Sequence, residues 1–228
     1  MVTDYTKQSE LINVHEFKER INVIGCGALG SWIVFFLLKM GFSNIHVYDF
    51  DNIEEHNIPN QMFQEKQIGM AKVDAMYELY EVFFDEMNLA KRLTVHNYKI
   101  DKNNARELTG ITFSAVDSMK ARKEIYNAAL KLGPSDLWIE GRLGLWGAYV
   151  YAVEKLNLKA YEEYEKTLYD DVEAEVSACG VSQTALPSAV NCASIMIMQM
   201  IRYYNEEEVM NKVEYQIPEL YTMTDTWK

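Results

Sequence analysis

Cysteine, histidine, proline and positive charge are all scarce in this sequence, and each shortage removes a class of function. The three cysteines, Cys26, Cys179 and Cys192, are odd in number and lack Cys-x-x-Cys spacing, which argues against a disulfide framework or a cysteine zinc site. The four histidines, His15, His46, His56 and His96, stand singly, so no histidine metal centre is expected. Four prolines among 228 residues, with no Gly/Ser-rich stretch and no internal repeat, leave no obvious linker. Lysine and arginine number 22 against 34 acids, a net charge of −12. Nucleic acid, which needs a basic footprint, is therefore not an expected partner. The longest apolar runs, Trp32 to Met40 and Ala193 to Ile201, are too short to span a bilayer, and residues 1–7 carry no signal-peptide apolar core. We expect a cytoplasmic protein with no membrane partner.

What is present points to an α/β nucleotide-binding domain. With 49% hydrophobic residues, the chain can bury a substantial core as one domain over 1–228. Gly25-x-Gly27-x-x-Gly30 follows the apolar run Ile21 to Ile24 and precedes Trp32 to Met40, which places it at a strand-to-helix turn. Glycines there permit a tight turn and let backbone N–H groups, those of Ala28 and Leu29 included, approach a phosphate at a helix N-terminus. Asp49 lies nineteen residues beyond Gly30, at the end of the run Ile45 to Tyr48, where a carboxylate can accept from ribose hydroxyls. The glycine pattern alone is shared by dehydrogenases, flavoproteins and methyltransferases, so the nucleotide is left open by these residues.

The pattern along the chain predicts a short N-terminal helix over 3–18, strand 21–25, helix 29–40, strand 44–49, and a helix over 69–88. It continues with strand 93–98, a helical turn at 101–108, strand 111–116 ending in Asp117, helix 119–132 and strand 137–139 ending at Glu140. The alternation implies a Rossmann-like, doubly wound, mostly parallel sheet whose ligands bind at the carboxyl ends of the strands. Asp49, Asp117 and Glu140 all fall at such ends. The rhythm then changes to a β-rich extension: a β run at 146–153, an acidic segment at 157–175, a long helix from Thr184 or Pro187 to Tyr204, a strand at 213–217 and a polar tail. A division into a nucleotide-binding part, 1–140, and a partner-binding and dimerisation part, 141–228, follows from that change.

With Gly25-x-Gly27-x-x-Gly30-Ser31, Asp49-x-Asp51-x-Ile53, Asn57-Ile58-x-Asn60-Gln61, Lys72 and Asp117 in this order, the sequence resembles the ThiF/MoeB family of adenylyltransferases, relatives of the ubiquitin-activating E1 enzymes. The resemblance spans roughly residues 20–200. It implies ATP and Mg²⁺ as cofactors, and a partner that is a ubiquitin-like or sulfur-carrier protein with a C-terminal Gly-Gly tail, or a peptide. The partner's carboxylate would be activated as an acyl-adenylate. It also implies a homodimer. By the same resemblance the glycine turn, Asp49, Asp51, Asn57, Asn60, Gln61 and Lys72 bind nucleotide, Lys72 offsets phosphate charge, and Asp117 carries Mg²⁺. Taken singly, Asp49 and Asp117 are also ordinary strand-end or capping carboxylates, Asn57 a turn residue and Lys72 a solvated helix charge.

The sequence departs from the family pattern at Asn60, where the family has an arginine; an amide hydrogen-bonds a phosphate but does not neutralise it. Arg122 and Arg142 are the candidates to restore that charge. Cys179 lies where some relatives carry a cysteine nucleophile, with a packed cysteine as the plainer reading. The acidic stretch at 161–175 falls where relatives place a crossover loop over the partner's tail, and a solvated helix face is its more common explanation. Two alternatives remain open: a catalytically impaired nucleotide-binding homologue, and an NAD-dependent oxidoreductase, which explains Asp49 but not Asn57, Lys72 or Asp117.

Overall fold

The computed structural model describes residues 4–84, 92–169 and 184–227. Eight strands form one sheet in the order β3-β2-β1-β4-β5-β6-β7-β8. The first five are β1 (Ile21–Ile24), β2 (Ile45–Tyr48), β3 (Leu93–His96), β4 (Gly110–Ser114) and β5 (Ser135–Leu143). All their mutual pairings are parallel. The remaining strands, β6 (Gly147–Glu154), β7 (Lys212–Gln216) and β8 (Tyr221–Asp225), continue from β5 by antiparallel pairing. The expected doubly wound sheet with a β-rich extension is thus the observed architecture, and the parallel half steps outward from β1 in both directions.

Helices cover both faces, which is why β1 and β4 are buried along their whole length and read as continuous apolar runs rather than alternations. Helices α1 (Gly30–Met40), α2 (Lys72–Phe84) and α5 (Leu186–Tyr204) contribute to one core with Val23, Val47 and Phe113. Helices α3 (Met119–Tyr126) and α4 (Leu158–Glu165) contribute to the other with Ile24, Tyr48 and Trp138. Helix α1 ends at Gly41, whose φ of +98° suits the left-handed cap and whose N–H donates to the carbonyls of Leu37 and Leu38.

Several expectations need correction. Residues 4–18 hold one 3-10 turn, Thr6–Gln8, and no α-helix; Ile12, Val14 and Phe17 are nevertheless buried. Phe17 packs between Phe42 and Tyr204, at 4.9 and 4.8 Å between ring centroids. Strand β5 does not stop at Ile139: its parallel partner ends at Ser114 opposite Glu140, and β6 then pairs antiparallel with residues up to Leu143. Glu140 and Arg142 are therefore strand residues, and the boundary drawn at 140/141 falls inside β5. The helix expected to Leu132 is α-helical only to Tyr126, continuing as a π turn over Asn127–Lys131. The supposed polar tail contains β8. Of the helix predicted over 69–88, the described part is Lys72–Phe84. Among the described residues, no helix is long and apolar enough to cross a membrane.

Candidate functional site

The carboxyl ends of the parallel strands open into a cleft of about 1640 Å³. Its lining joins the glycine turn, the 49–61 segment, Lys72, residues 115–122, and the β5–β6 hairpin. Topology explains the place: β1 and β4 are adjacent and their following helices lie on opposite faces, which leaves a crevice between them.

The three glycines of the turn have different tasks. A Cβ on Gly30 would lie 1.8 Å from the carbonyl oxygen of Gly25, and one on Gly25, whose φ is +91°, would lie 2.7 Å from that of Ala115. These two are required for the chain to close. A Cβ on Gly27 would meet only Gln61 Nε2, at 3.9 Å, so this glycine keeps backbone open to the cleft. Cys26, between them, is fully buried, and burial pushes its thiol pKa well up, with Asp49 adding to the effect. It is inert as a nucleophile.

Asp49 is buried and anchored by the turn itself: the Cys26 N–H donates to Oδ2 at 2.6 Å and the Asp51 N–H to Oδ1 at 2.8 Å. An ionised carboxylate has about four acceptor positions, so the group retains capacity for hydroxyl donors. Asp51 pairs with Lys72 Nζ at 3.1 Å, and the Lys72 N–H donates to the Asp51 carbonyl at 3.0 Å. Lys72 opens α2 and is buried. Asn57 is buried, and its Oδ1 accepts from the Glu54 N–H at 2.9 Å, which holds the 54–57 turn in shape. Asp117 is exposed on the rim, one residue before Ser118, the N-cap of α3.

Asn60 is turned to a structural partner. Its Nδ2 donates to Thr184 Oγ1 at 2.6 Å, and Trp32 Nε1 donates to its backbone carbonyl at 3.0 Å. Among the described residues, the buried side-chain oxygens of Asn60 and Gln61 have no hydrogen-bond partner, in a segment that lines the cleft. Buried acceptors left unpaired are costly, and their presence beside the glycine turn fits a donor-bearing ligand or water at this place.

Arg142 sits on the cleft wall but is strongly engaged. Its Nε donates to Glu140, and its Nη1 and Nη2 donate to the Thr167 carbonyl at 2.7 Å and to Thr167 Oγ1 at 3.0 Å. The guanidinium lies 4.4 Å from the Tyr151 ring centroid. Burial alone would lower its pKa, but Glu140 beside it raises the guanidinium further instead. Cys192 is buried behind Gly141; Cys179 lies outside the described residues. Among the described residues, no cluster of three or more His, Cys, Asp or Glu side chains is arranged to hold a metal.

The sequence pattern missed the contribution of the extension to the cleft. Tyr149, Tyr151, Thr167, Lys212 and Gln216 line it; Tyr149 and Tyr151 alternate on one face of β6 opposite Arg142 and Glu140. The period-2 pattern of 147–154 carries that signal, but the register against β5 is needed to use it. Phe50, Tyr98 and Lys99, which also line the cleft, have no local signature.

Architecture and crevice together define a Rossmann-like α/β protein with a ligand cleft at the strand carboxyl ends. The chain belongs to the ThiF family, whose profile matches residues 13–228. It is similar to ubiquitin-like modifier-activating enzyme 5 of Xenopus laevis, 28% identical over 135 residues, which cover 53% of this chain and 32% of that protein. It is also similar to adenylyltransferase and sulfurtransferase MOCS3 of Aedes aegypti, 25% identical over 138 residues, 57% of this chain and 31% of that protein. The chain thus spans about a third of the length of these curated relatives. Among solved structures, E. coli MccB superposes with a TM-score of 0.75 at 15% identity, covering 92% of this chain and 62% of that one. MccB with ATP gives 0.73 at 14% identity, over 92% of this chain and 64% of that one.

Proposed function

We propose that the chain is an ATP-dependent adenylyltransferase that activates the C-terminal carboxylate of a ubiquitin-like or sulfur-carrier protein ending in Gly-Gly, or of a peptide. The observation that carries this reading is the convergence of the glycine turn, Asp49, Asn57, Lys72 and Asp117 on one cleft in a ThiF-family chain. The names of the curated relatives support the reaction class, and MccB has been solved with ATP and with MccA.

In this reaction a carboxylate oxygen attacks the α-phosphorus of ATP. The new P–O bond forms as the bond from that phosphorus to the bridging oxygen breaks, and pyrophosphate leaves with the electron pair. No protein nucleophile is needed, so the residues' work is positioning and charge neutralisation. Gly27 leaves room for backbone N–H groups at the start of α1 to meet phosphate oxygens. Asp49, already fixed by two backbone donors, takes ribose hydroxyls. Lys72 offsets phosphate charge. Asp117 is exposed and has no ion-pair partner among the described residues, an available hard oxygen donor that fits Mg²⁺. Bound there, the ion would supply phosphate charge neutralisation. A homodimer is part of the proposal, and sedimentation of the purified protein at one-subunit mass would remove it.

Mg²⁺-dependent exchange of pyrophosphate into ATP, stimulated by small proteins ending in Gly-Gly, tests the activity. We expect exchange, and at least a tenfold loss in Lys72→Ala. A second reading, a nucleotide-binding homologue without turnover, is favoured by one observation, the engagement of Asn60 with Thr184. ATP binding without exchange would select it, whereas NADH binding without ATP binding would select an oxidoreductase.

A further inference from the structure

We infer that Glu140 is a positioning residue that holds Arg122 and Arg142 as a fixed cationic wall for the polyphosphate of the nucleotide, supplying the charge that Asn60 does not. The inference rests on the proposed ATP-dependent reaction and deepens it.

Glu140 is fully buried within β5, where the parallel pairing with β4 ends. Its Oε1 accepts from Arg142 Nε and lies 3.6 Å from Arg122 Nη1, and its Oε2 accepts from the Tyr164 hydroxyl. That hydroxyl in turn accepts from Trp138 Nε1 at 3.0 Å. One carboxylate therefore orients two guanidiniums, and the cluster carries one positive charge in excess. Elsewhere on the cleft the balance is different. Lys72 is matched by Asp51, Lys166 by Glu162 and Glu163, and Lys212 by Glu214, while Lys99 lies over the Phe50 ring. In a chain of net charge −12, a buried excess cation at a cleft is a specific attractor for anions.

Both arginines are rooted beside the glycine turn, Arg122 from helix α3 and Arg142 from strand β5. A Cβ on Gly141 would lie 2.4 Å from Leu29 Cδ2, so the β5 backbone between Glu140 and Arg142 is pressed against the entry to α1. Arg122 Nε donates to the Val116 carbonyl at 2.8 Å, next to Ala115, whose carbonyl closes on Gly25. Both guanidiniums line the cleft and are about nine-tenths buried. Arg142 spends three N–H groups on Glu140 and Thr167. A guanidinium has five, which leaves two for a ligand. Charges held this way need no reorganisation when an anion arrives, and partial burial strengthens their field. Pyrophosphate and AMP separate the polyphosphate from the rest of the nucleotide as the anion held here.

Inorganic pyrophosphate and AMP are titrated separately into the full chain, its Arg142→Gln, Arg142→Lys and Glu140→Asp variants, with thermal unfolding measured alongside. Arg142→Gln is expected to weaken pyrophosphate about tenfold or more, the effect of one charge-assisted contact, and AMP less than about twofold. Arg142→Lys should recover part of the loss. Glu140→Asp keeps every charge but withdraws the carboxylate by one methylene, and should weaken pyrophosphate while sparing AMP. Tyr164→Phe, which frees one Glu140 oxygen without moving a charge, serves if Glu140→Asp fails to fold. The wall is overturned if pyrophosphate does not bind the unmodified chain, if Arg142→Gln binds it normally, or if AMP weakens in parallel. Pyrophosphate binding lost in Arg142→Gln, in a chain without ATP–pyrophosphate exchange, would uphold the wall and remove the adenylylation reading. Exchange in the unmodified chain with unaltered pyrophosphate affinity in the variant would do the reverse.

Discussion

The parallel and antiparallel halves of the sheet meet in one strand, β5, yet are built on different terms. In the parallel half, β1 and β4 are buried throughout and helices close both faces. In the extension, burial alternates along β7 and every residue of β8 is exposed. The first half fixes backbone geometry so tightly that single atoms matter; the second passes from a buried β6 to an exposed outer strand that depends on one neighbour. The cleft takes one wall from the first and the other from the second, an arrangement in which an extension adds side chains to a fixed scaffold.

The largest contrast should come from the glycine turn. Gly30→Ala places a methyl where 1.8 Å separates it from the Gly25 carbonyl, and we expect a loss of more than about 3 kcal/mol, or no soluble protein. Gly27→Ala has 3.9 Å of clearance and should melt as the unmodified chain does while binding ATP more weakly. Equal melting temperatures for the two variants would show that the turn is not the rigid element described above. A smaller effect is expected in the extension. Trp227 is buried, donates its N–H to Asn211 at 2.6 Å and its Nε1–H to Asp225 at 3.2 Å, so it pins β8 from beyond its end. Trp227→Ala should cost about 3 kcal/mol and raise amide exchange in β8 without raising it in β1. Equal exchange in both strands would mean that the halves unfold as one unit.

What could be seen in advance follows the same division. Strands β1, β2 and β3 are largely apolar runs of four residues bounded by turn residues, and Gly25, Gly30 and Asp49 are local signals whose consequences are local, so this wall of the cleft was legible. The continuation of β5 was not, because residues 141–143 are held by β6 rather than by any preference of their own. The engagement of Arg142 with Thr167, and of Asn60 with Thr184, joins residues 25 and 124 positions apart, beyond the reach of periodicity. Leu11, Ile12, Val14 and Phe17 have near-helical spacing, yet docking against α1 and α5 buries the last three without a helix. Tyr221 to Asp225 alternates weakly and reads as polar tail, and only pairing with β7 makes it a strand.

The smallest predicted effect is a titration confined to the parallel half. His46 on β2 and His96 on β3 share a contact of 3.0 Å between ring nitrogens, and Asn44 Oδ1 lies 3.3 Å from the other nitrogen of His46. A neutral His46 satisfies both partners, donating to Asn44 and accepting from His96. Protonation would set two donors against each other. Burial, Arg20 and His96, in that order, lower the pKa of His46 from 6.5 to about 4. The folded state therefore binds fewer protons than the unfolded chain between these values, and stability rises with pH across them. This contribution is complete above about pH 6.5 and lost as pH falls toward 4, a window whose upper part lies clear of ordinary carboxylate titration. The group is only half-buried, so solvent screening keeps the effect small. His46→Gln should reduce the fall in melting temperature between pH 7 and pH 5.5, because the variant has no proton to take up at this position. An unchanged fall would assign the acid sensitivity of the fold to the carboxylate-rich surface rather than to the edge of the parallel sheet.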